Sequence, residues 1–170
     1  SKQIIILGAG GAAASLALKA ALEKAAALTI LARTSHKAKA ILEKAALLQP
    51  GIKLSYAPFT AANLFKKAAG ADILINATPL GMTGLKEDFQ DLGFLSALKP
   101  DCLICDLIYS PAQTTLLKAA ANLGLPTLGG LQMLIYQAIM ADNFFLGCEQ
   151  NLIKAYNIVE QNLKGRVDIS

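Results

Sequence analysis

The stretch Ile4-Ile5-Ile6-Leu7-Gly8-Ala9-Gly10-Gly11-Ala12-Ala13 decides the fold. Its first four residues form a continuous apolar run, the pattern of a strand buried on both faces of a parallel sheet. The run breaks at glycines and re-emerges as a long Ala/Leu segment of helical character. A strand that stops at glycines and reopens as a helix is the front end of a dinucleotide-binding βαβ unit. Gly8 permits the tight turn. Gly10 carries no Cβ, so a pyrophosphate can approach the backbone. Ala13 holds the third position, where a small residue lets helix and strand pack closely. The helix then presents free N–H groups and the positive end of its dipole to the phosphates. A glycine pattern alone is weak, so its meaning depends on the rest of the chain.

The 170 residues are enough for one well-cored domain. Hydrophobic residues make up 54% and charged residues 16%, a balance that excludes a disordered chain. The net charge of +4 is mild, and no basic cluster is interleaved with aromatics, which argues against a nucleic-acid surface. That bias still favours a phosphorylated small ligand. Cys102, Cys105 and Cys148 fit no disulfide framework and read as reduced, cytosolic thiols. Ser1-Lys2-Gln3 leads directly into the first strand with no leader pattern, so a cytoplasmic protein is expected. The most apolar segment, Leu131 to Leu146, is interrupted by Gln132, Gln137, Asp142 and Asn143 and reads as a buried helix rather than a membrane span.

Strand and helix alternate along the chain. Strands are predicted at 4–7, 28–32, 52–57, 72–76, 102–107 and 126–128. Helices are predicted at 12–24, 35–48, 61–69, 114–123, 130–146 and 149–163, with a short helical stretch at 93–98 and a tail at 166–170. Thr60 is the expected N-cap of the third helix. Six strands with helical crossovers predict an α/β fold, a Rossmann-like doubly wound parallel sheet in the order 3-2-1-4-5-6 with helices on both faces. A ligand crevice then lies outside the carboxyl ends of strands one and four, where the Gly8 loop meets the Asn76–Gly81 loop.

The end of the second strand reports which dinucleotide is expected. Proteins of this fold that use NAD commonly place an Asp or Glu there, about 20 residues past the glycines. Here the sequence is Leu31-Ala32-Arg33-Thr34-Ser35-His36-Lys37, without an acid. Arg33 and Lys37 supply cations, and Thr34 and Ser35 supply hydroxyls, a set suited to the 2′-phosphate of NADP. Cations at a helix start oppose the dipole, which favours a ligand-binding role over ordinary surface charge. NADP(H) is expected to bind more than about ten-fold tighter than NAD(H).

Asn76-Ala77-Thr78-Pro79-Leu80-Gly81-Met82, after a buried strand, resembles a signature of the shikimate dehydrogenase family. So do Asp106-Leu107-Ile108-Tyr109-Ser110-Pro111 with Thr114-Thr115-Leu116-Leu117, and Gly129-Gly130-Leu131-Gln132-Met133-Leu134 with Gln137-Ala138. With the glycine loop and Arg33-Thr34, these segments span nearly the whole chain in the family's order. The resemblance implies an NADP-dependent oxidoreductase that interconverts 3-dehydroshikimate and shikimate in aromatic amino-acid (chorismate) biosynthesis. It implies Gly8, Ala9, Gly10, Gly11 and Ala12 around the pyrophosphate. Ala32, Arg33, Thr34 and Lys37 would surround the adenosine ribose phosphate, and Asn76, Ala77 and Thr78 would line the crevice. Leu107 and Gly130 would sit against the nicotinamide, and Tyr109 and Gln137 would reach the substrate. The spacing agrees in part, because Gly130, Met133 and Gln137 fall on one helix face at i, i+3 and i+7. The family usually has Asn where Ala32 stands, a departure expected to weaken cofactor binding without changing its class.

Hydride transfer to a ketone needs a proton donor for the developing alkoxide. By the same resemblance, the family's Lys and Asp for that task, and most substrate contacts, lie in a separate domain ahead of the glycine loop. Residues 1–170 are therefore expected to form a single NADP-binding domain without the substrate domain. It would bind NADP(H) but not turn over shikimate alone, and it carries no catalytic residue of its own. Lys118 and Lys154 read as surface lysines, and His36 as a ribose-phosphate neighbour or a surface residue. Cys102 and Cys105 are spaced C-x-x-C, but on a strand they point to opposite faces, so packing is expected rather than a metal. The helices after Gly147 are expected to return toward the missing domain, leaving apolar surface able to drive a homodimer. Two alternatives are a stand-alone NADP-binding or regulatory module without catalysis and a quinate/shikimate dehydrogenase paralogue.

Overall fold

A computed structural model describes residues 2–147 and 151–163. The expectations for Cys148, for the first residues of the last predicted helix and for the 166–170 tail lie outside them. The strands are β1 (Gln3–Leu7), β2 (Ala27–Ala32), β3 (Lys53–Pro58), β4 (Ile73–Asn76), β5 (Leu103–Asp106) and β6 (Thr127–Leu128). The helices are α1 (Gly11–Leu22), α2 (Ser35–Leu48), α3 (Ala61–Ala68), α4 (Thr115–Asn122), α5 (Gly130–Leu146) and α6 (Leu152–Leu163), with a 3-10 turn at Gly93–Ala97. The sheet runs β3-β2-β1-β4-β5-β6, and every pair is parallel, as the alternation predicts.

Because successive strand residues point to opposite faces, the central strands feed two cores. Ile5 and Leu7 of β1 pack with Leu64, Phe94, Leu116 and Leu117 on the face covered by α3, the 3-10 turn and α4. Ile6 packs on the other face with Leu28 and Ile30 of β2 and with the buried sides of α1 and α2. The buried side of α1 is Ala13, Ala17, Ala20 and Ala21, so its backbone approaches the sheet closely.

Several boundaries follow from local chemistry. Thr60 caps α3, its Oγ1 accepting from Asn63 N at 3.3 Å. Thr114, predicted as the first residue of a helix, instead caps α4, accepting from Leu117 N at 3.3 Å. Helix α1 stops two residues short of Lys24, which has a left-handed φ of +57°. No helix among the described residues is long and apolar enough to cross a membrane.

Asp72, just before β4, ties the amino ends of β1 and β4 to the turn before β5. It accepts from Gln3 N at 2.7 Å and from Lys99 Nζ at 2.7 Å. The Lys99 bond, then the Gln3 N–H, hold its carboxyl below the usual range. A depressed folded-state pKa adds stability that is present above the unfolded value and lost as pH falls through the folded one. Asp72→Asn is therefore expected to lower stability at neutral pH by about 0.5–1 kcal/mol, the scale of a partly exposed pair. The difference from the parent should shrink on acidification, as measured by denaturant melts across pH.

Candidate functional site

The site is built at the carboxyl ends of β1 and β4, where the strand order reverses. Leu7 is aligned with Leu31 on one side and Asn76 on the other, and Asn76 with Asp106 beyond. The chain leaves β1 through Gly8, whose φ is +104°. A Cβ there would stand 2.8 Å from the Ala77 carbonyl oxygen, so the turn accepts only glycine. Gly8 N donates to Leu31 O at 2.8 Å, and Ala77 N donates to Leu7 O at 2.9 Å. These bonds carry the ladder one residue past the strand ends and fix both loops.

Gly10 is the N-cap of α1 and Gly11 its first residue. A Cβ on either would meet nothing within 4 Å. No side chain caps the helix, and its first turn has no acid. Its free N–H groups therefore face open space under a positive dipole end, which suits an anionic group.

Beside them is a cavity of about 300 Å³ lined by Gly8, Ala9, Gly10, Ala32, Arg33, Thr34, Lys37, Ala77 and Thr78, with Phe59, Leu80 and Glu87. Nine of the residues singled out in the sequence thus meet in one place. Among the described residues, the side chains of Arg33 and Lys37 have no ion-pair or hydrogen-bond partner. Two uncompensated cations beside an uncapped helix start fit a dinucleotide with a further phosphate on its ribose. Gly11 is exposed at the helix start but does not line this cavity.

Asn76 is fully buried and does not line the cavity; it works beneath it. Its Oδ1 accepts from Thr78 N at 3.0 Å and Thr78 Oγ1 at 2.6 Å, fixing the loop after β4. Its Nδ2 donates to Asp106 Oδ1 at 3.0 Å. Asp106, 1% exposed, also accepts from Ile108 N at 3.1 Å and, through Oδ2, from Thr114 Oγ1 at 2.7 Å. One buried carboxylate thus joins the loop after β4, the loop after β5 and the start of α4. Burial pushes its pKa up, against the pull of the Thr114, Ile108 and Asn76 bonds. Asp106 stands in the Asp106–Pro111 motif, where the sequence pattern assigns it no role. Its partner Asn76 lies thirty residues earlier, and only the strand register brings the two together.

A second cavity, about 420 Å³, lies beyond Ala77–Pro79 and is lined by Ala12, Met82, Thr83, Leu107, Ile108, Tyr109 and Ser110. Tyr109 is 54% exposed there. Gly130 is buried, its N–H on Ile108 O at 3.2 Å, and a Cβ would lie 2.3 Å from Leu107 O. It seats α5 against the β5 loop from behind. Gln137 is exposed, its side chain makes no hydrogen bond among the described residues, and it lines neither cavity. Cys102 and Cys105 are buried free thiols, and burial pushes each up to about 11, so neither is a ready nucleophile.

No protein-family model matches the chain. Individual relatives do. A shikimate dehydrogenase (NADP+) of Alkaliphilus oremlandii is 40% identical over 82% of this chain and 49% of its own length. The enzyme of that name from Methanocaldococcus jannaschii is 37% identical over 89% of this chain and 52% of its own. Among solved structures, a shikimate dehydrogenase in complex with NADP+ superposes with a TM-score of 0.75 at 34% identity, covering 95% of this chain and 55% of that one. The Listeria monocytogenes shikimate 5-dehydrogenase, in complex with shikimate and NAD, gives 0.81 at 28% identity over 93% and 55%. The chain spans about half the length of the relatives it matches. By sequence and fold it belongs to the shikimate dehydrogenase family, corresponding to the Rossmann-like domain of those enzymes.

Proposed function

We propose that this chain is the NADP-binding domain of a shikimate dehydrogenase that reduces 3-dehydroshikimate to shikimate with NADPH. The observation that carries the reading is the cavity in which Arg33, Thr34 and Lys37 face the uncapped start of α1. When bound, the cofactor supplies the hydride. The chain's own residues bind and orient it: the α1 N–H groups hold the pyrophosphate, Arg33 and Lys37 the ribose phosphate, and the Thr78 loop the path between them. Leu107 and Tyr109 line the far cavity, where the nicotinamide and substrate would meet. Gly130 supports that cavity from behind, and Gln137 would reach substrate only across the cleft.

The far cavity has no Lys, His, Asp or Glu in its lining. With no charged group in that lining to activate the Tyr109 phenol, the proton for the alkoxide is assigned to a part of the molecule outside this domain, and the relatives carry about as much chain again. Met140, Phe144, Phe145 and Ile153 of α5 and α6 are exposed apolar residues, which we assign to contact with that other half. Alone, the uncovered face favours self-association into a homodimer. The buried free thiols suit a reducing cytoplasm.

Purified residues 1–170 should bind NADPH and show no shikimate oxidation. Dehydrogenase activity of this chain alone would overturn the division of labour. Arg33→Ala should weaken NADPH by about ten-fold or more, the loss of a charge-assisted phosphate contact, and leave NADH within about two-fold. An unchanged NADPH to NADH ratio in a fluorescence titration would refute the ribose-phosphate assignment.

Asp106→Ala strands three buried donors and should cost at least about 2 kcal/mol. Asp106→Asn keeps an acceptor for Asn76 and Ile108 and removes the buried charge. Because burial raises the Asp106 pKa, the folded chain keeps this proton to higher pH than the unfolded chain. The carboxyl therefore costs stability as pH rises from the unfolded value through the folded one. The Asn variant should lack that decline in melts taken from acid to neutral pH.

A further inference from the structure

The segment 81–89, between β4 and the 3-10 turn, borders the Arg33 cavity at Glu87 and is a strap held at four points. Gly81 N donates to Glu87 O at 3.0 Å, and Thr83 N to Ser110 O at 2.8 Å. Thr115 Oγ1 donates to Asp88 Oδ2 at 2.6 Å. The Phe89 ring lies 6.3 Å from Phe59 and 6.4 Å from Phe94. Residues on both sides of Glu87 are thus held in place. Glu87, an exposed residue, lines the same cavity as Arg33, Thr34 and Lys37, and also the larger one, about 680 Å³, that shares Arg33, Phe59 and Leu80 with it.

Resting on the reading of that cavity as the adenosine ribose site, we propose that Glu87 is a specificity-determining residue that narrows the preference for NADP(H) over NAD(H). The end of β2 has no acid, yet the fold supplies one from the opposite wall. A carboxylate there repels a 2′-phosphate and accepts a hydrogen bond from a 2′-hydroxyl, the role usually filled by the acid after β2. Arg33 and Lys37 outnumber it, so the balance stays with NADP(H), but by less than those cations alone would set. Glu87 makes no ion pair among the described residues, so its charge is free to act on the ligand.

The test is titration of residues 1–170 with NADPH and with NADH, for the parent, Glu87→Gln, Arg33→Ala and Glu43→Gln. Glu43 is an exposed acid on α2 outside both cavities, so its variant controls for net charge. Glu87→Gln should raise the NADPH to NADH affinity ratio by about two- to five-fold, the scale of a partly exposed charge pair, while Glu43→Gln leaves it unchanged. A ratio that stays flat or falls in Glu87→Gln, with NADPH binding still lost in Arg33→Ala, overturns the role of Glu87 and leaves the cofactor site standing. An equal rise in both glutamate variants overturns it as a bulk charge effect. Failure of the parent to bind either nucleotide overturns both readings.

Discussion

The close approach of Gly8 to Ala77 is the constraint on which the site depends. At the reversal of strand order, two loops leave the same edge of the sheet side by side, and no side chain fits between them. A left-handed turn at Gly8 lets the backbone pass the Ala77 carbonyl and enter α1 with its amino end pointing out of the sheet. Any Cβ would push the β1 loop off the β4 loop and swing the helix start away from the crevice. The bonds from Gly8 to Leu31 and from Ala77 to Leu7 then lock three strand ends into one rim. The Arg33 cavity and the Tyr109 cavity are the two sides of that rim.

Much of this was legible in the sequence because it rests on local patterns. Apolar runs buried on two faces mark the strands, and the Gln49-Pro50-Gly51 stop marks the end of α2, whose expected bounds, Ser35–Leu48, are the observed ones. The strand order followed from alternation and crossover handedness. The glycine and Arg33 segments met because each sits at a strand's carboxyl end. What escaped depends on partners distant in sequence. Asn76 was assigned to the crevice wall by its motif, but strand register turns it toward Asp106 and below the surface. Glu87 sits in a strap with no periodicity to mark it, and only the folded path brings it opposite Arg33.

Helix α5 shows a different limit. Helical spacing put Gly130, Met133 and Gln137 on one face, yet Gly130 is buried and Gln137 exposed. At 1.5 Å per residue, seventeen residues run about 25 Å. The β5 loop supports only the first turns, so one stripe passes from packed to uncovered. Periodicity names the face, and the length of the supporting surface decides how far that face is covered.

The charge distribution separates binding from chemistry. The end beside α1 is cationic and open, matched to phosphate. The end beside Tyr109 is mostly apolar, with no Lys, His, Asp or Glu in its lining. The carboxyl near it with a raised pKa, Asp106, does not line the cavity. It is 1% exposed and engaged by Asn76, Ile108 and Thr114. Its pKa is raised by the burial that makes it a strut. A perturbed pKa beside a crevice often marks a catalytic group, but a catalytic acid must reach the reacting oxygen. Asp106 instead holds the two loops at a fixed spacing, so the wall of the Tyr109 cavity is shaped before any ligand arrives. On the function proposed above, a donor on the opposite side of the cleft would find the substrate carbonyl already placed, and the proton would be supplied by a part of the molecule that plays no part in binding the cofactor.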